Sequence, residues 1–208
     1  MPAERISLNK LQSAPAGSAG LVSWIEKIER GAVFVYPTET IYGIGGRADS
    51  ENVAAGITAA KKRPLSNPMI RIASRKEILD SLPVVFTTNA KILAKKFWPG
   101  YLTLVLPGEG QNESIAVRLS SHPFISRINE HLKVPLFSTS ANISGEKYVN
   151  DPDVIFDVFK HEVDFMVDAG VLAETIPSTV VKISGNDSVT IIREGAISAE
   201  LIRNTVRI

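Results

Sequence analysis

The chain has 208 residues, enough to bury a sizeable core as one domain or at most two small ones. Hydrophobic residues make up 44% and charged residues 22%, ordinary globular usage, and a net charge of +1 excludes binding to polyanions by bulk charge alone. The lack of cysteine excludes disulfides, thiol catalysis and cysteine-based zinc sites, and it suits a reducing cytoplasm.

In chain order, residues 1–17 are mixed and polar and read as a loose lead-in to a domain over 18–208. "SAGLVSWIEKIERG" carries Leu21, Val22, Trp24, Ile25 and Ile28 as a helical stripe, closed by Gly31. "AVFVYP" is a buried strand ended by Pro37, and "DSENVAAGITAAKK" is a helix with Asp49 or Ser50 as its cap. "PMIRIAS" is a strand, with Ser74 a candidate cap for a short helix through Ile78 and Leu79. "TTNAKILAKKFW" predicts a helix stopped by Pro99-Gly100; "YLTLVLP", "SIAVRL" and "VPLFST" predict strands, with a helix starting near Pro123 between the last two. A helix in "DPDVIFDVFK", strands in "VDFMVDAG", "STVVKI" and "SVTIIRE", and a helix in "SAELIRNTV" complete the chain. The alternation predicts one α/β domain built on a twisted open mixed sheet with flanking helices.

Several chemistries are absent from the sequence. There is no Walker A loop and no G-x-S-x-G elbow, and His122, His131 and His161 show no metal-ligand spacing, so no metal ligands are expected. Gly43 to Ala48 fits G-x-G-x-x-A, yet the polar turn Pro37–Thr40 separates it from the strand and no acidic residue follows at the ribose position. A dinucleotide reading is therefore set aside. Three Asn-x-Ser triplets, including Asn142-Ile143-Ser144, stand in a chain without the apolar core of a secretory signal, and no run nears the roughly 18 apolar residues that span a bilayer. The expectation is a soluble, cytoplasmic protein with no membrane partner.

What the sequence does offer is hydroxyls, amides and cations at strand ends. Thr38, Glu39 and Thr40 follow one strand, and Ser138, Thr139, Ser140 and Asn142 follow another. Ser178 and Thr179 precede a third, and Arg193 ends a fourth. Between Asn52 and Lys76 stand six basic residues and no acidic one, with Lys61 and Arg63 in a segment stiffened by Pro64 and Pro68. These two either complement a helix C-terminus or converge on an anion such as a polyphosphate. Arg118 lies inside the apolar strand "SIAVRL", where a guanidinium needs a partner, either a ligand carboxylate or an internal Asp. Without a matched acid and base, such a set works by positioning and charge neutralisation, as phosphoryl or nucleotidyl transfer requires.

Together, "YPTETIYGIG", "KKRP", "WPGYLTLVLP", "AVRLSSHP", "STSANISG", "PSTVV" and "IIREG" resemble the YrdC-like family in content and order, from Gly31 to Gly195. Within it they are most similar to the single-domain threonylcarbamoyl-AMP synthases of the TsaC type. The resemblance implies a YrdC-like sheet with a basic concave face, and a chain too short for the extra C-terminal domain of some relatives. It implies an enzyme that turns L-threonine, bicarbonate or CO2 and ATP into threonylcarbamoyl-AMP and pyrophosphate. Its product would pass to the proteins that build t6A at position 37 of tRNA. It further implies Mg2+ held mainly by ATP phosphates, with Lys61 and Arg63 as the catalytic cations. Lys61, Arg63, Asn67, Ser114, Ser140, Asn142, Tyr148 and Arg193 would hold ATP; Thr38, Thr40, Arg118, Ser138 and Ser178 would hold threonine. The chain departs from the pattern at Ile72, where some relatives have His, and at Tyr148, often Ser. Direct contact with tRNA or other RNA is compatible with the same basic face, and a non-catalytic RNA-binding protein using that face is the alternative.

Overall fold

A computed structural model describes residues 2–15, 17–62, 69–110, 113–173 and 176–207. Ten strands form one open mixed sheet in the order β1-β8-β2-β3-β7-β4-β6-β5-β9-β10. The strands are β1 (Glu4–Ser7), β2 (Phe34–Tyr36), β3 (Gly43–Arg47), β4 (Ile70–Ala73), β5 (Leu102–Leu106), β6 (Ile115–Leu119), β7 (Leu136–Ser140), β8 (Phe165–Asp168), β9 (Thr179–Ile183) and β10 (Val189–Arg193). The helices are α1 (Leu8–Ser13), α2 (Ala19–Glu29), α3 (Glu51–Ala60), α4 (Lys76–Asp80), α5 (Thr88–Phe97), α6 (Pro123–His131), α7 (Pro152–Phe159) and α8 (Ala199–Val206).

Local chemistry explains where several of the helices begin. The side chains of Ser50, Asp151 and Ser198 accept backbone N–H bonds at the starts of α3, α7 and α8, each satisfying a donor that the helix itself leaves free. Ser50 rather than Asp49 caps α3; Asp49 instead receives a two-pronged bond from Arg47 at 2.6 and 2.7 Å. Ser74 is not a cap, because α4 starts after Arg75 and the Ser74 N–H and hydroxyl both donate to the Asn129 side chain.

Strand alternation divides the core. Phe34 and Tyr36 enter one apolar layer, whereas Val33 and Val35 enter another, and β8 repeats the split with Phe165 and Val167 against Met166. Phe34 stacks on Phe165 with ring centroids 4.7 Å apart. A third apolar layer joins β5, β6 and β9 to α5 and α8.

One expectation is corrected. Residues 4–13 are not part of a loose lead-in: β1 pairs in parallel with β8 at the sheet edge, and Ile6 and Leu11 are buried. Elements of four and six residues carry too little periodicity to register in sequence, and long-range pairing holds them in place. A segment that the sequence assigned to no element, "GIGGR", is a buried central strand, β3, between β2 and β7. Its glycines are there for proximity. A Cβ on Gly45 would lie 1.8 Å from the Phe137 carbonyl oxygen, and one on Gly46 would lie 2.4 Å from that of Ala32.

Candidate active site

A cleft of about 280 Å³ lies across the middle of the sheet. Seven of the residues expected to hold ATP or threonine line it: Thr38, Thr40, Arg118, Ser138, Ser140, Ser178 and Arg193. Thr38, Thr40 and Ser178 lie beside strand ends, Arg193 ends β10 and Arg118 is inside β6, all as expected, whereas Ser138 and Ser140, expected after a strand, lie within β7. Arg118 and Ala116 share one face of β6, while Val117 packs into the apolar layer opposite. Ser138 and Ser140 share one face of β7, in register with Gly45 and Gly43 of β3. A period of two puts alternate side chains on one side, so several strands together make a polar floor.

Arg118 is the centre of this floor, and it is 4% exposed. Its Nε donates to the Gly100 carbonyl at 2.8 Å and Nη1 to Thr40 Oγ1 at 3.1 Å, while Nη2 lies 3.1 Å from Glu39 Oε1. The internal partner is therefore Glu39, a glutamate where the sequence suggested an aspartate. That last contact is an ion pair without an aligned hydrogen bond; Nη2 and Oε1 are both shielded from solvent, and Glu39 is not among the described residues that line the cleft. The other Glu39 oxygen accepts from Ser120 Oγ at 2.7 Å. Burial pushes the Arg118 guanidinium below its ordinary range, and Glu39 pulls it back toward the charged form.

Arg193 faces the same space. Its Nη2 donates to the Ser178 carbonyl at 2.8 Å, and no carboxylate pairs with it among the described residues. Burial and then the like charge of Arg118 push it down. The described lining thus holds two cations and no carboxylate, an arrangement that an entering anion relieves. Hydroxyls are paired around them: Thr38 with Thr40 at 2.9 Å, and Ser178 with Thr103 at 2.8 Å. Thr103 was missed in the sequence, although a lone hydroxyl within "YLTLVLP" is the same signal as Arg118 within "SIAVRL".

The other expected residues stand behind or outside the cleft. The Lys61 ammonium donates to the carbonyls of Ser140 and, at 2.6 Å, Asn142, and Ser140 Oγ donates to Asn142 Oδ1, so both hold the loop after β7. The Tyr148 hydroxyl accepts from the backbone N–H of Tyr42, itself a lining residue, at 3.0 Å. Ser114 is exposed just before β6 and does not line the cleft. Ile72 is in the core. Arg63 and Asn67 lie outside the described residues. No cluster of three or more His, Asp or Glu suited to a metal occurs among the described residues.

Behind Glu39, the Ser120 hydroxyl also accepts from the His122 N–H, and His122 Nδ1 accepts from the Phe124 N–H at the start of α6. Burial lowers the His122 pKa. Since the folded form resists a proton that the unfolded chain takes up near pH 6.5, stability is full above that pH and declines as pH falls below it. Protonation also removes the cap acceptor. Urea unfolding between pH 7 and pH 5 is expected to show a loss of about 1 kcal/mol that His122→Asn, which retains an acceptor, largely abolishes. An equal loss in the variant would assign the decline to other groups.

A family model described as telomere recombination, covering Sua5, YciO and YrdC, matches residues 26–195. The chain belongs to the Sua5/YciO/YrdC family. It is 33% identical over 187 residues to a threonylcarbamoyl-AMP synthase of Pyrococcus abyssi, covering 86% of this chain and 55% of that relative. It is 31% identical over 165 residues to the enzyme of that name from Pseudoalteromonas translucida, covering 74% and 87%. The crystal structure of P. abyssi Sua5 complexed with L-threonine superposes with a TM-score of 0.83 at 28% identity, covering 99% of this chain and 61% of that one. This family member thus spans about half the length of its Pyrococcus relative and most of the Pseudoalteromonas one.

Proposed function

We propose that the chain is an L-threonylcarbamoyladenylate synthase, a nucleotidyltransferase that joins L-threonine, bicarbonate or CO2 and ATP into threonylcarbamoyl-AMP with release of pyrophosphate. The observation that carries this reading is the buried Arg118, fixed by Glu39 and Thr40, sharing with Arg193 a cleft lined by hydroxyls and, among the described residues, by no carboxylate. The relatives named for this reaction support it and do not favour the non-catalytic RNA-binding alternative.

In this reading the threonine carboxylate meets the Arg118 guanidinium, with Thr40, Ser138 and Ser178 supplying neutral hydrogen bonds. Glu39 keeps Arg118 charged and fixed, so little reorganisation accompanies binding. The threonine amine, as its free base, attacks CO2 to form a carbamate and loses a proton. A carbamate oxygen then attacks the α-phosphorus of ATP, the P–O bond to the β-phosphate breaks, and pyrophosphate leaves with the bond's electrons. Arg193, Lys61, Arg63 and Asn67 serve the phosphates, and Ser140, Asn142 and Tyr148 shape the nucleotide wall. Mg2+ arrives with ATP as part of the substrate. The reaction takes place in the cytoplasm, and its labile product passes to partner proteins that complete t6A on tRNA.

Pyrophosphate release with each substrate omitted in turn tests the reading. Release is expected to need all three, and release that ignores threonine would sink the proposal. Arg193→Gln is expected to weaken ATP by about ten-fold, the worth of one charge-assisted contact, with an unchanged melting temperature. An unaltered ATP dependence would remove Arg193 from the nucleotide site.

A further inference from the structure

A second, larger cavity of about 510 Å³ lies on the far side of β6, between α4 and α5. It shares no lining residue with the reaction cleft, since Leu119 faces it while the adjacent Arg118 faces the other way. Its walls are Phe86, Trp98, Ala94 and Leu119. The two rings stand nearly perpendicular, 6.1 Å apart, and the Trp98 indole N–H is already taken by the Leu102 carbonyl at 2.7 Å. The walls therefore offer aromatic surface with no polar donor of their own.

The rim is cationic. Lys76, Lys91 and Lys95 surround the opening with Asp80 as the sole acid among the described lining residues. Lys76 neutralises that acid, holding both Asp80 oxygens at 2.6 Å, and its ammonium also lies 5.5 Å from the centre of the Phe86 ring. Lys91 and Lys95 form no ion pair among the described residues. They stand four residues apart on one face of α5, where like charges repel. Lys95 complements the helix C-terminus, but Lys91 is outside the last turn, so the helix dipole does not account for it. An aromatic-walled cavity of small-ligand size with two unbalanced ammonium groups at its mouth selects by both shape and charge.

We infer that this cavity is a second binding site, distinct from the reaction cleft, for a small aromatic anion whose flat apolar body packs against the wall made by Phe86 and Trp98. Its anionic group meets Lys91 and Lys95. The inference is independent of the proposed catalytic activity, and its failure would leave that reading intact.

The test is titration of the purified full chain with 8-anilinonaphthalene-1-sulfonate, following the indole N–H resonance of Trp98 by NMR, assigned with Trp98→Phe. The Trp98 signal is expected to shift saturably, with binding weakened by salt. The Lys91→Ala/Lys95→Ala protein, with both changes on the solvent side of α5, is expected to bind about ten-fold less tightly, as is the uncharged analogue N-phenyl-1-naphthylamine with the unaltered chain. Ala94→Phe, which fills the cavity, is expected to abolish the shift. Equal affinity for the uncharged analogue or for the double-lysine variant would overturn the proposal. So would displacement of the probe by threonine, or a Trp98 response to an acidic tryptophan-containing peptide but not to the sulfonate.

Discussion

Arg118→Met is expected to unfold the protein at a lower temperature and to weaken threonine binding, and the two effects are separable. The variant leaves the Glu39 carboxylate buried without its counter-charge, with only 10% of that side chain exposed. Stranding one partner of a buried pair costs about 3–5 kcal/mol, which for a chain of this length lowers the melting temperature by roughly 10 °C. Adding Glu39→Gln removes the stranded charge, so the Arg118→Met/Glu39→Gln protein is expected to regain most of the loss by scanning calorimetry. Threonine affinity is not regained, because the cation is still missing; calorimetric titration should show a loss of about 30-fold or more, from roughly 2 kcal/mol. If the double variant bound threonine like the unaltered chain, Arg118 would be structural only.

Gly45→Ala is expected to be the most damaging single-methyl change in the chain. The new methyl would sit 1.8 Å from the Phe137 oxygen and 3.1 Å from the Tyr36 ring, and both neighbours belong to paired central strands that cannot yield cheaply. Forcing β3 and β7 apart is expected to cost about 3 kcal/mol or more, read as a fall of roughly 6–12 °C in melting temperature or as insoluble protein. It should also disturb the cleft, since Ser138 is opposite Gly45. Gly20→Ala is the control: it lies in α2 with nothing within 4 Å of the added methyl, and a gain of about 0.5–1 kcal/mol is expected there. A Gly45→Ala protein as stable as the unaltered chain would mean that β3 does not lie this close to β7.

The same glycines show what the sequence concealed. "GIGGR" lacks β-branched bulk apart from Ile44, so it reads as a loop or a nucleotide turn, whereas it is a strand whose neighbours leave no room for side chains. Residues 4–13 were hidden for the opposite reason: their contacts are local in neither sequence nor period, and only pairing with β8 reveals them. The longer elements were legible because caps and stripes are local, as with Ser198 before α8. In the site, Arg118 stood out as a charge inside an apolar strand, yet its partner Glu39 could not be chosen from sequence, 79 positions away and among 22 acidic residues. Lys61 was legible as a cation but not as a clasp on the Ser140 and Asn142 carbonyls, since backbone acceptors leave no sequence signature.

The most direct test is label transfer from radioactive bicarbonate into an adenylate, measured with threonine and ATP present and with each withheld. A labelled threonylcarbamoyl-AMP is expected only with all substrates present, and at sub-saturating threonine the Arg118→Met/Glu39→Gln protein is expected to form it at least about 30-fold more slowly. Failure of the unaltered chain to form the adenylate, or its formation at the unaltered rate by that double variant, would contradict the proposed function.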